Sequence, residues 1–151
     1  MTVAPHSRLG PDLDAATLYR LLTLRVEVFV VEQECPYREL DGVDLLPGTR
    51  HFWLADGDGR IVSTLRLVGD DPLRGTGFRI GRVCTAAEER GRGHTARLMR
   101  AALAEVGEHP CRLNAQTYLA AMYARHGFAI AGAEFVEDGI PHVPMLRAAR
   151  R

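Results

Sequence analysis

Lysine is absent from the 151 residues, so all 19 Lys-plus-Arg side chains are arginine, balanced by 19 Asp and Glu. A formal net charge of zero gives no global field to draw the chain to nucleic acid or to an anionic membrane. The same absence excludes a phosphate loop of the Gly-x-x-x-x-Gly-Lys-Ser/Thr kind. Cysteine is scarce: Cys35, Cys84 and Cys111 are an odd number with no Cys-x-x-Cys pair, so neither a disulfide framework nor a thiolate metal site is expected. No run of about 18 apolar residues occurs, and Met1 to Gly10 holds no apolar segment of an export signal. A soluble, cytoplasmic protein is expected, folded as one domain over residues 1–151.

Leu18, Leu21, Leu22, Val26 and Phe29 recur at helical spacing, which predicts a first helix over Leu13–Val30, opened by Pro11, Asp12 and Asp14. Glu32 to Gly48 mixes acids with two prolines and Gly42 and reads as a long loop. His51–Ala55 and Ile61–Val68, separated by Asp56-Gly57-Asp58-Gly59, form a predicted hairpin. After a loop containing Asp70, Asp71, Pro72, Gly75 and Gly77, Phe78–Thr85 reads as a buried strand. A helix carrying Leu98, Met99, Ala102, Leu103 and Val106 ends at Gly107 and Pro110. Cys111–Ala115 is a short strand, Tyr118–Arg125 a short helix, Phe128–Ala131 the start of a strand, and Val143–Leu146 a last one. This order describes an α/β domain with a mixed sheet.

Between the buried strand and the second helix lies Arg90-Gly91-Arg92-Gly93-His94-Thr95-Ala96. Glycines there admit backbone conformations that a Cβ forbids, and a new helix offers unpaired amides and the positive end of its dipole, a setting for a pyrophosphate. Gly91-x-Gly93-x-x-Ala96 also satisfies the dinucleotide fingerprint. Its context does not: Ala86 to Arg90 separate the glycines from the strand, and an antiparallel hairpin precedes that strand.

Val83-Cys84-Thr85 before the turn, Arg90, Gly93 and Thr95 within it, and Tyr123-x-x-x-Gly127-Phe128 beyond it together resemble the GNAT family of acetyl-CoA-dependent N-acetyltransferases. Arg25–Tyr37, Glu39–Asp44 and Glu137–His142 look like its ElaA-like subgroup, and the resemblance runs from Leu18 to about Arg147. It implies the GNAT acyl-CoA N-acyltransferase fold: an α/β domain whose mixed, mostly antiparallel sheet is splayed at the centre between flanking helices. Thr95 departs from the Gly or Ala usual there, and either tightens the turn or offers its hydroxyl to the ligand.

The resemblance implies that main chain at Val83, Cys84 and Thr85 pairs with pantetheine amides and faces the thioester oxygen, a donor worth about 3–4 kcal/mol of barrier. It further implies that the turn, Arg90, Gly91, Arg92, Gly93, His94, Thr95 and Ala96, holds the pyrophosphate of acetyl-CoA without a metal. Tyr123 is the implied general acid toward the leaving thiolate; otherwise it is a core aromatic whose hydroxyl finds a carbonyl. Gln116 either contacts the cofactor or caps the following helix.

For the base, Glu32, Glu34, Glu39, Asp41, Asp44, His51 and His142 are candidates, none decisive, and each loop acid taken singly reads as solvated surface. Taken together, the acids suit a cationic acceptor. The cysteines read as core residues rather than acyl carriers. The expected activity is direct transfer of acetyl to a small-molecule or peptide amine, with no nucleic-acid or membrane partner and a homodimer compatible with it. The alternatives are a non-catalytic acyl-CoA-binding module and a nucleotide-dependent oxidoreductase.

Overall fold

The computed structural model describes residues 4–69 and 77–150; Asp70, Asp71, Pro72 and Gly75 of the predicted loop lie outside them. The chain runs β1 (His6–Leu9), α1 (Ala15–Val26), β2 (Thr49–Ala55), β3 (Ile61–Gly69), β4 (Phe78–Thr85), α2 (His94–Val106), β5 (Cys111–Gln116), α3 (Ala120–Ala124), β6 (Ala129–Ile130), β7 (Phe135–Glu137) and β8 (Ile140–Arg147). The sheet order is β1-β2-β3-β4-β5-β8-β6, with β7 also on β8. Every neighbouring pair is antiparallel except β4 and β5.

That parallel pair creates the working feature of the sheet. β4 and β5 meet only at Phe78 with Cys111 and Arg79 with Arg112, then run on to Thr85 and Gln116 unpaired with one another. The splay opens toward α2 and α3, because both helices leave the sheet from the separating strand ends. A second irregularity lies in β4 itself, where the register against β3 slips between Cys84 opposite Thr64 and Gly81 opposite Arg66. Arg82 sits in this bulge at φ +52°, a left-handed conformation that costs a non-glycine residue roughly 1–3 kcal/mol.

Two cores cover the two faces. On one, α2 packs Leu98, Met99, Ala102 and Val106 against Phe52, Leu65, Leu67 and Ile80, and Tyr123 and Phe128 extend this core under α3. On the other, Leu21 and Leu24 of α1, with Val28 just beyond its end, lie on Trp53, Ile61 and Cys84. The Asp14 side chain accepts from the Thr17 amide at 2.7 Å and so starts α1 where the acids predicted it.

Several boundaries differ from those read in the sequence. The first helix stops being α-helical at Val26 and continues as a π-helical turn over Glu27–Glu32, with Gln33 N–H reaching Val28 O and Cys35 N–H reaching Val30 O. The six residues of this segment are too few for its period to be separated from that of the α-helix in the sequence. β1 and β7 were not read as strands, being short and mostly exposed. The last strand, read over Val143–Leu146, extends over Ile140–Arg147 and includes Pro141 and Pro144. Tyr118–Arg125 resolves into a 3-10 turn at Thr117–Leu119 followed by α3, and the following strand shortens to Ala129–Ile130.

Candidate functional site

The glycine turn has the geometry its composition implies. Gly91 and Gly93 lie at φ +79° and +80°, Gly93 is the N-cap of α2, and no side chain caps the helix. A Cβ at either glycine would meet nothing within 4 Å, so conformation rather than crowding demands glycine. The first-turn amides of α2 therefore face outward beside the mouth of the splay, available to an anion.

Thr95 is turned inward. Ser63 gives its proton to the Cys84 carbonyl at 3.2 Å, Thr85 then donates to Ser63 at 2.8 Å, and Thr95 donates to Thr85 at 3.1 Å. Each hydroxyl has one proton, so this chain commits that of Thr95 to the protein. In this structure the Thr95 hydroxyl is engaged with Thr85 and ties the first turn of α2 to β4 and β3.

The arginines of the turn differ. Arg90 donates from Nε to the Thr85 carbonyl at 3.1 Å and forks onto Glu32 at 2.6 and 2.8 Å. Arg92 pairs with Glu89 at 3.2 Å from an exposed position, and His94 Nε2 lies 3.1 Å from the same carboxylate. Both arginine pairs are partly exposed and contribute at most about 1 kcal/mol, so a phosphate can compete for either cation.

Across the splay, Tyr123 is buried and edge-on to Phe128, with ring centroids 6.4 Å apart. Its hydroxyl makes no hydrogen bond to any described residue, against the alternative of a core phenol satisfied by a carbonyl. Burial first, then the neighbouring Tyr118 and Cys84, raises its pKa above the ordinary phenol value and keeps it protonated. Gln116 ends β5, and its side chain does not cap the Thr117–Leu119 turn. Cys84 faces the α1 core and burial pushes its thiol up to about 12, which disarms it as a nucleophile.

The acidic loop is the largest correction. Glu39 and Asp44, read singly as solvated, are buried, as is Arg25 between them. Arg25 holds Glu39 at 2.5 Å and Asp44 at 2.6 Å, Arg66 holds Asp41 at 2.5 Å and Asp44 at 3.2 Å, and Arg82 holds Glu39 at 2.8 Å and Asp41 at 3.3 Å. Tyr37 donates to the remaining side of Glu39, and the Arg82 guanidinium stacks over the Tyr37 ring. Three cations thus neutralise three of the five loop acids; Glu32 pairs with Arg90, and Glu34 is exposed without an ion pair to a described residue.

These ties hold Arg82 in its bulge. Nothing in the local sequence marks that position, because its partners arrive from a loop about forty residues earlier.

Among the candidate bases, His51 is sealed: Nε2 lies 2.9 Å from the Asp44 carbonyl, and burial holds its pKa below the usual value. His142 is different. Its Nδ1 lies 2.7 Å from the Ile140 carbonyl, so Nδ1 carries the proton and Nε2 keeps a lone pair, while Phe135 stacks on the ring. His142 is opposite Gln116, at the end of β5 where the splay is widest, and strand alternation sets it on the face away from Val143 and Met145, the face that carries α1. Among the described residues no cluster of His, Cys, Asp and Glu could hold a metal, and no helix is long and apolar enough to cross a membrane.

Comparison with known proteins follows the same geometry. Residues 20–148 match the acetyltransferase (GNAT) domain family. The chain is 61% identical to a UPF0039 protein of Mycobacterium tuberculosis, covering 97% of its own length and 94% of that protein. Its fold matches an acyl-CoA N-acyltransferase from Pseudomonas aeruginosa with a TM-score of 0.87 at 42% identity, covering 97% of this chain and 100% of the other. Escherichia coli ElaA matches with a TM-score of 0.89 at 33% identity, over 97% of this chain and 99% of that one.

Proposed function

The chain belongs to the GNAT acetyltransferase family, and from that premise we propose that it transfers acetyl directly from acetyl-CoA to an amine. One observation supports this above the rest: an uncapped helix N-terminus with positive-φ glycines flanks a strand splay, across which a buried phenol has no partner of its own. The residues fit the group they would hold. Amides from Gly91 to Ala96 take the pyrophosphate, with Arg90 or Arg92 released from its carboxylate to add charge. The edge of β4 over Val83 to Thr85 is left unpaired by β5 and would take the pantetheine arm once the Thr85 carbonyl gives up its bond from Arg90, and Gln116 ends the strand across the splay.

When bound, acetyl-CoA supplies the activated thioester carbon. In the transfer the amine nitrogen bonds to that carbon as its bond to sulfur breaks. Tyr123 gives its phenolic proton to the departing sulfur, for which its raised pKa keeps it ready. A backbone N–H of the bulged strand faces the carbonyl oxygen as negative charge develops. His142, whose Nδ1 is held by the Ile140 carbonyl, takes at Nε2 the proton that the amine loses.

The experiment is release of CoA thiol from acetyl-CoA across a panel of amines bearing cationic, neutral and acidic side groups. Amine-dependent release supports the reading. Thermal stabilisation by acetyl-CoA with no release for any amine would replace it with a non-catalytic binding module, and stabilisation by NAD alone would remove CoA from it.

A further inference from the structure

At the far end of α2 and α3 from the glycine turn, an open surface depression of about 560 Å³ is lined by Arg100, Arg125, His126, Gly127, Arg147 and Arg150 together with small or apolar residues. No carboxylate lines it, and none of the four guanidiniums forms an ion pair with a described residue. In a chain with equal numbers of acids and cations, this is a marked segregation of charge. Arg100, Arg125 and Arg150 are exposed at the rim, where water can solvate them. Arg147 is not: it is 8% exposed, and its Nε and Nη1 are enclosed without a hydrogen-bond partner.

The fold puts Arg147 there for a definite reason. Val143, Met145 and Arg147 alternate along β8 on the face that packs under α3, so the guanidinium occupies the third place in a row of core positions. A core position normally excludes a charge unless something pairs with it. Gly127, at φ +91°, brings the chain close to the site, since a Cβ there would stand 3.4 Å from Arg147 Nε and 3.5 Å from Arg150 Nη2. His126 registers the same field: burial first, then the charges of Arg100 and Arg125, lowers its pKa.

We propose that this cavity is an anion site separate from the glycine turn, taking a small multiply charged oxyanion such as a phosphate ester, with Arg147 as its floor and Arg100 and Arg125 as its rim. Arg100 is already about 10 Å along α2 from Gly93 at 1.5 Å per residue, and the cavity extends further toward the C-terminal end of the helix. The inference does not depend on the acyl transfer proposed above.

The test is thermal unfolding and titration calorimetry of the full chain with inorganic pyrophosphate, against sodium chloride of equal ionic strength. The wild type is expected to bind pyrophosphate and melt higher in it. Arg147→Met is expected to melt above the wild type in chloride, having lost an unpaired buried charge, and to lose the part of the pyrophosphate response that this cavity supplies. Arg100→Gln with Arg125→Gln changes only exposed positions, preserves the fold, and is expected to weaken that component at least tenfold. An equal pyrophosphate response in wild type and both variants would overturn the proposal. So would loss of the Arg147-dependent component on adding CoA but not 3′-dephospho-CoA, since the cavity would then belong to the acyl-donor site.

Discussion

The hydroxyls of Thr85 and Thr95 lie 3.1 Å apart, joining the last residue of β4 to the first turn of α2. Through Ser63 the link continues to β3, so the strand that would present its main chain to the donor and the helix that would hold its pyrophosphate are one rigid unit. Thr95→Ala removes one net hydrogen bond and should cost about 0.5–1.5 kcal/mol in urea unfolding. Acetyl-CoA affinity should change by less than about threefold, because the lost hydroxyl faces the protein. A tenfold loss of affinity with unchanged stability would place the hydroxyl on the ligand instead.

Tyr123→Phe removes only the proton proposed for the leaving sulfur. Acetyl-CoA affinity should stay within about threefold while kcat falls about 100-fold, the lower end of general-acid contributions. The raised pKa adds a pH signature: the wild type should show no loss of kcat attributable to phenol ionisation up to about pH 10. An alkaline limb present in the wild type near that pH and absent from the variant would contradict the burial argument.

Arg82 combines a left-handed backbone with three polar ties, and two substitutions separate them. Both Arg82→Ala and Arg82→Gly lose the ion pairs, but only alanine retains the backbone strain. The glycine variant should therefore be more stable by about 1 kcal/mol, measured by chemical denaturation. If alanine proved the more stable, the strain at the bulge would be relieved by some other movement.

Acid should weaken the fold in two windows. His51 is held neutral by burial, so the unfolded chain binds its proton first and stability falls as pH drops below about 6.5. The Arg66 hydrogen bond lowers the pKa of Asp41; burial would raise that of Asp44, but the Arg25 bond and charge outweigh it. Their contribution is complete above the unfolded carboxylate value of about 3.9 and is lost as pH falls toward the folded values. Asp44→Asn leaves Arg25 short of a buried partner and should cost about 3–5 kcal/mol at neutral pH. Denaturant titrations at stepped pH measure both windows; a flat profile between pH 7 and 5 would remove His51 from the account.

Much of the site was legible because its signals are local. Gly91 and Gly93 announce positive φ, Asp14 announces a cap, and the strand before the turn and the helix after it are set by apolar periods that need no partner to be recognised. Glu39, Asp41 and Asp44 illustrate the opposite case. An acid beside a proline-containing loop looks solvated until Arg25, Arg66 and Arg82 are brought to it from α1, β3 and β4, and no spacing rule connects those positions.

The amino-acid order alone determined the main helices and central strands, the glycine turn at the start of α2, the core placement of Cys84 and Cys111, and the family resemblance that those features carry. Backbone conformation and apolar periodicity are short-range properties, written within a few residues of where they act. Tertiary structure alone decided that Glu39, Asp41 and Asp44 meet Arg25, Arg66 and Arg82, that the Thr95 hydroxyl meets Thr85, that Arg82 holds a strained bulge, and that Nε and Nη1 of Arg147 are enclosed without a partner among the described residues. Those outcomes depend on which charges and hydroxyls meet across strands far apart in the chain, and burial then multiplies the strength of every meeting and the cost of every one that fails to occur.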